Sequence, residues 1–151
     1  MKKLIAFVVT SIGIGCSTFV LAQTTYELGS VMLPTQISAF GAMKTFTVGN
    51  KVFRILPSTH GDGGFVINDH GKVGKCQGDV LISGVSVDQA KKALDPYQSK
   101  IASLKVYDSL RIVSARFNDL ESAAKARNEL AESIAGATVT LPIVFSLPKA
   151  R

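Results

Sequence analysis

Between residues 79 and 145 the apolar side chains alternate between two periods, and that alternation limits the folds open to the chain. Val80-Leu81-Ile82 is a short apolar run closed by Gly84, the pattern of a buried strand. Ser86 stands where a helix cap belongs, with Gln89 three residues on as its reciprocal partner. Val87, Ala90, Leu94, Tyr97, Ile101 and Leu104 then follow at spacings of three and four, which marks one helical face. Pro96 disfavours helix at the residue before it, so the stripe predicts one kinked helix or two short ones end to end. Val106-Tyr107 predicts a brief strand, with Asp108-Ser109 as the turn. Leu110 to Phe117 predicts a longer one, with Val113, Ala115 and Phe117 on one face. Asn118, with Glu121 three residues later, predicts a second cap. The helix it opens buries Leu120, Ala123, Ala124, Leu130, Ala131 and Ile134, carries a Glu121–Lys125 pair outside and stops at Gly136. Thr138 to Phe145 alternates again. Pro142 cannot donate a ladder hydrogen bond, which assigns this last strand to a sheet edge.

The order is therefore β-α-β-β-α-β, a split unit whose fourth strand lies at an edge of an open antiparallel sheet. The fold class expected is α+β, ferredoxin-like in residues 79–145. Residues 23–78 are expected to form a β-rich N-terminal extension. In it, Thr45 to Leu56 is a hairpin pattern turned by Gly49-Asn50. Phe65-Val66-Ile67 is a short strand, Asn68-Asp69-His70-Gly71 a turn, and Val73 the start of a return strand. His60-Gly61-Asp62-Gly63-Gly64 reads as a loop.

The first 22 residues are set apart. Lys2 and Lys3 precede an apolar stretch, and Val20-Leu21-Ala22 presents small or apolar residues where a signal peptidase reads. This predicts a cleavable secretory signal and a periplasmic or secreted protein. The apolar run is too short and broken for a transmembrane anchor. Gly13, three before Cys16, stands where a lipoprotein signal carries an aliphatic residue, which argues against lipidation. Removal of 22 from 151 residues leaves 129, with 15 basic residues against 11 acidic once Lys2 and Lys3 are gone. The basic residues are scattered and not interleaved with aromatics, which argues against a nucleic-acid partner. Cys76 is the one cysteine left. It reads as a small buried hydrophobe, with an intermolecular bridge as the alternative.

Catalytic and metal readings have little to stand on. His60 and Asp62 share a glycine-rich loop, and Asp69 and His70 share a turn. Neighbours in a turn do not make a catalytic constellation, and their spacing matches no metal motif. Gly61-Asp62-Gly63-Gly64 lacks the lysine and following helix of a phosphate loop. No catalytic residue, metal or cofactor is expected. The better candidate is the tail. Ser146-Leu147-Pro148-Lys149-Ala150-Arg151 has no apolar periodicity and contains a proline, so it should stay extended. A frayed terminus is the plain alternative.

With these residues in view, 79–151 resembles the propeptide domains of subtilisin-like serine proteases. The run Val113-Ser114-Ala115-Arg116-Phe117-Asn118-Asp119-Leu120-Glu121 is similar to their strand-to-helix segment. The whole chain is similar in layout to the external chaperones of secreted kexin-like serine proteases of Gram-negative bacteria. The resemblance implies a folding chaperone and inhibitor, not an enzyme. Its tail residues Leu147, Pro148, Lys149, Ala150 and Arg151 would lie in the cleft of a secreted subtilisin-like serine protease, with Arg151 in the S1 pocket. Ala150 departs from the basic residue that a kexin-type site prefers before the final arginine. Leu110-Arg111-Ile112-Val113, Phe117 and the alanine-rich helix also resemble half of a sporulation-related repeat, which implies a peptidoglycan-binding module. A non-catalytic envelope assembly component is the third reading.

Overall fold

The computed structural model describes residues 26–57 and 64–146. Residues 1–22, expected to be a signal sequence, with Cys16 among them, the loop residues His60 and Asp62, and the tail Leu147–Arg151 lie outside the described residues. The protein is α+β, with two antiparallel sheets and few helices.

The first sheet grows from local turns. β1 (Thr45–Val48) and β2 (Lys51–Ile55) form the expected hairpin. Gly49 has φ 62° while Asn50 stays at negative φ, the pattern of a type II′ turn with glycine at its first central position. β3 (Gly64–Ile67) and β4 (Val73–Cys76) form a second antiparallel pair. The Asn68 side chain organises their turn by accepting from the backbone N–H of His70 and Lys72, and Gly71 supplies the positive φ. β9 (Ile143–Val144) comes from the far end of the chain and completes the order β1-β2-β3-β4-β9.

The second sheet holds β5 (Asp79–Ser83), β6 (Ile101–Tyr107), β7 (Ile112–Phe117) and β8 (Thr138–Thr140), in the order β6-β7-β5-β8. α2 (Val87–Leu94) joins β5 to β6, and α3 (Leu120–Ser133) joins β7 to β8. Ser86 caps α2 by accepting from the Gln89 N–H.

Several local expectations are corrected. α2 ends at Leu94, and Asp95–Lys100 is a 3-10 turn. Ile101 and Leu104 are therefore strand residues, not the end of a helical stripe. Pro96 breaks the α-ladder, and pairing with β7 takes the following residues into β6. The β6–β7 hairpin turns through a 3-10 segment, Asp108–Leu110, and Arg111 at φ 50°. Leu110 thus belongs to the turn, and β7 begins at Ile112. The cap of α3 is Asp119, not Asn118; its carboxylate accepts from the Ser122 N–H at 2.7 Å. Ala126, not Ala131, lies on the buried face of α3. Glu121 pairs with Lys44 at 3.1 Å instead of Lys125, which lies 3.7 Å from Glu129. The last strand is not continuous. It breaks at Leu141-Pro142, so that β8 pairs with β5 while β9 crosses to β4.

The layers follow from which faces are apolar. One apolar cluster joins Phe46, Phe53, Val66 and Cys76 of the first sheet to Val80, Ile82, Val113, Ala115, Phe117 and Val139 of the second. Ala90 and Leu94 of α2 and Ala123, Ala124, Ala126 and Leu130 of α3 belong to it. Residues 23–78 and the segment from 79 thus share a core among the described residues. The small side chains of α3 allow close approach to both sheets. Asn128 ties the helix to the hairpin: its Nδ2 donates to the Thr47 carbonyl at 2.9 Å, and its Oδ1 accepts from the Gly49 N–H at 3.2 Å. A second cluster, Leu56, Ile67 and Val73, covers the opposite face of the first sheet. Tyr26, Met32, Ile37, Phe40 and Met43 pack on it, around the short α1 (Pro34–Ser38).

Candidate protein-interaction surface

The four-stranded sheet has two unlike faces. The face carrying Val80, Ile82, Val113, Ala115 and Phe117 is buried against α2 and α3. Because successive strand residues point to opposite sides, the other face carries Asp79, Leu81 and Ser83 of β5 and Ile112, Ser114 and Arg116 of β7. Ser103, Lys105 and Tyr107 of β6 and Thr138 and Thr140 of β8 complete it. The registers bring these into cross-strand rows: Lys105, Ser114, Leu81 and Thr140 in one, and Ser103, Arg116 and Asp79 in another. No described helix lies on this face. Ser114 is its most recessed side chain, at 8 % exposure.

One ion pair gives the face a fixed point. Arg116 donates through Nε and one terminal nitrogen to both oxygens of Asp79, at 2.9 and 2.7 Å. The same terminal nitrogen reaches Gln77 Oε1 at 2.9 Å. Such a two-pronged contact holds a guanidinium in a defined plane. The hydrogen bond and charge of Asp79 raise the Arg116 pKa further, so the side chain is cationic at every working pH. This pair could not be found by motif. It depends on β5 and β7 placing Asp79 opposite Arg116, and the predicted strand began at Val80, which left Asp79 outside it.

The root of the tail lies elsewhere than the sequence implied. A continuous last strand would launch the tail from the edge of the four-stranded sheet. Because the chain crosses over at Pro142, Phe145 rests instead on Gly74 of the first sheet, with the Lys72 ammonium 5.8 Å from its ring centre. A β-carbon on Gly74 would come within 2.8 Å of that ring, so any larger residue there would have to displace it. Residues 29–32 run beside the same edge, through Gly29 N–H to Val73 carbonyl and Met32 N–H to Gly71 carbonyl. A groove of about 340 Å³ opens between this root and the Arg116 pair, lined by Leu28, Lys75, Gln77, Asp79, Pro142 and Val144. Leu147, Pro148, Lys149, Ala150 and Arg151, the expected cleft-binding residues, lie outside the described residues.

Of the other groups singled out in the sequence, Asp69, His70 and Cys76 lie among the described residues. His70 and Asp69 are 3.6 Å apart and both exposed in their turn. No three metal-binding side chains cluster among the described residues. Cys76 is fully buried and unpaired; burial foremost, and the nearby Asp79 charge, push its thiol pKa up against the opposing hydrogen bond from Gly78. A raised thiol pKa disfavours the thiolate that nucleophilic chemistry needs. No described helix is long and apolar enough to cross a membrane. The chain matches no protein-family model, no curated protein and no solved structure.

Proposed function

We propose that this is a secreted or periplasmic, non-catalytic chaperone and inhibitor of a subtilisin-like serine protease. The observation that carries the reading is the face of the four-stranded sheet on which no described helix packs, opposite the face that meets α2 and α3. The element order β5-α2-β6-β7-α3-β8 and the strand order β6-β7-β5-β8 support a ferredoxin-like, propeptide-like description of this half. A rigid sheet face held by a helix layer and an adjoining second sheet offers a preformed template. Docking on it would lower the entropic barrier to the non-local contacts that make a protease domain fold slowly. The tail would then add as a strand along the substrate cleft through main-chain hydrogen bonds, and Arg151 would meet a carboxylate on the pocket floor.

The path of the chain modifies the geometry of that proposal. The tail leaves from beside β4, not from β8, so face and tail would approach the protease from two sheets rather than one. The test is inhibition and capture of a secreted subtilisin-like protease from the same cell. Removing Leu147–Arg151 should leave the fold intact and abolish capture, and Arg151→Ala should weaken binding by at least about 2 kcal/mol, the level of an interface hot spot. Wild-type capture by the truncated chain would refute the role of the tail.

One observation favours a second reading. The open face is rich in hydroxyls: Ser83, Ser103, Ser114, Thr138 and Thr140, with Tyr107 at its border. Hydroxyl and aromatic groups together suit a glycan, in keeping with a peptidoglycan-binding module. Sedimentation with purified peptidoglycan distinguishes the two, because a protease chaperone should remain in the supernatant.

A further inference from the structure

The segment that lies on the first sheet, on the face away from α3, covers only part of it. Tyr26, Met32, Ile37, Phe40 and Met43 pack over Leu56, Ile67 and Val73. Thr45 and Arg54, which stand opposite each other in the β1–β2 ladder, stay exposed beside them. A groove of about 690 Å³ lies between the cover and these strands, within the range of about 300–1,000 Å³ usual for small-molecule sites. Met32, Ile37 and Met43 line it, and Val31 and Leu33 border it at 64 % and 61 % exposure. Methionine side chains adapt to a ligand without a fixed shape.

Charge and hydrogen bonding limit what suits this groove. Arg54 lines it and takes part in none of the ion pairs among the described residues. Asp69, the one anion on the lining, has His70 beside it at 3.6 Å. The main-chain donors along the walls are already used. The N–H groups of Met32, Ile37, Gly41 and Gly71 go to the carbonyls of Gly71, Leu33, Ser38 and Asn68, and that of Leu33 goes to Gln36 Oε1. An extended peptide binds through main-chain hydrogen bonds, and these walls have no such donors to spare. A molecule with one anionic end and an apolar body needs only a cation and an apolar lining. We infer that the groove binds an aliphatic carboxylate, one molecule at a time, with its head on the Arg54 guanidinium and its chain over Met43, Ile37 and Met32. A guanidinium meets a carboxylate through two parallel N–H donors, so Arg54 fixes the head while the chain is held by burial alone. The inference is independent of the open face of the four-stranded sheet and of any protease.

The experiment is isothermal titration calorimetry of the purified protein with octanoate, decanoate and dodecanoate, each kept below its micelle concentration, and with the matching alcohols. Wild type should bind each carboxylate saturably, with affinity rising up to about fourfold per added methylene. Arg54→Gln should weaken dodecanoate at least about tenfold, because a charged hydrogen-bond partner is lost, and should leave dodecanol unchanged. Asp69→Asn should bind dodecanoate at least as tightly as wild type, since it removes the anion on the lining. Leu33→Asp, at an exposed position, should keep the wild-type circular dichroism and lose affinity for carboxylate and alcohol alike. The inference is overturned if no carboxylate binds saturably, or if Arg54→Gln binds dodecanoate as wild type does. It is overturned equally if wild type ignores the free carboxylates but binds phosphatidylglycerol vesicles, which would make Val31 and Leu33 a membrane contact. Self-association that Leu33→Asp abolishes, without carboxylate binding, would assign the groove to a second copy of the chain and also overturn it.

Discussion

Phe117→Ala tests whether the two parts of the chain are one cooperative structure. The Phe117 ring is 4 % exposed at the end of β7. It meets the Tyr97 ring edge-on at a centroid distance of 6.1 Å, and it belongs to the apolar cluster that reaches Phe46 and Phe53 in the first sheet. Truncation removes the transfer energy of the ring and leaves a cavity that the flanking strands and helices can close only in part. Together these cost about 3–5 kcal/mol. A domain of this size is stable by about 5–15 kcal/mol in total, so the variant should fold but with little margin. With a urea slope of about 1–3 kcal/mol/M, the midpoint should fall by at least about 1 M. The assay is urea unfolding followed by two probes, far-ultraviolet circular dichroism and a fluorophore placed on the β1–β2 hairpin. Both midpoints should fall together, because the hairpin shares the core that the ring fills. A hairpin midpoint that stays at the wild-type value while the circular dichroism midpoint falls would refute the shared core. An unchanged midpoint by both probes would refute the burial of Phe117.

Two further outcomes follow from particular contacts. Asn128→Ala removes the donor to Thr47 and the acceptor for Gly49, and should destabilise by about 1–3 kcal/mol; thermal denaturation measures it, and hydrogen exchange should rise first at the β1–β2 turn. The Asp119 carboxyl is held below its ordinary value chiefly by the backbone N–H of Ser122, so it favours the folded state when ionised. Its contribution is fully present above the unfolded carboxylate value of about 3.9 and is lost as pH falls through the lower folded value. Asp119→Ala should therefore cost about 0.5–2 kcal/mol at neutral pH, and urea midpoints of the two proteins should converge in acid.

Much of the fold was legible because it rests on local signals. Gly49-Asn50 marked the first hairpin, Asn68 and Gly71 the second, Ser86 the start of α2, and the alanine-rich stripe α3. Three of the misreadings share one cause, which is tertiary pairing acting against a local pattern. Ile101 and Leu104 continue the helical spacing of Val87 to Tyr97, yet β7 offers them a strand partner and Pro96 has already broken the helix. Thr138 to Phe145 alternates without interruption, yet β4 has an open edge that captures Ile143 and Val144 once Pro142 frees the chain. Glu121 had Lys125 within reach, but the packing of α3 on β1 brought Lys44 closer. The open face was legible in outline as the polar side of alternating strands. Its Asp79–Arg116 anchor was not, since a single sequence does not reveal which strands are neighbours.

The most direct measurement of the central claim is the rate at which an unfolded subtilisin-like protease regains activity with and without this protein. Leu81 lies in the middle of the open face, between Ser114 and Thr140, so Leu81→Arg would place a long charged side chain on the docking surface while its backbone pairing remains. Wild type should accelerate recovery, and Leu81→Arg, with an unchanged melting temperature, should not. If the variant accelerates recovery as well as wild type does, or if wild type has no effect, the open face is not a folding template for a protease.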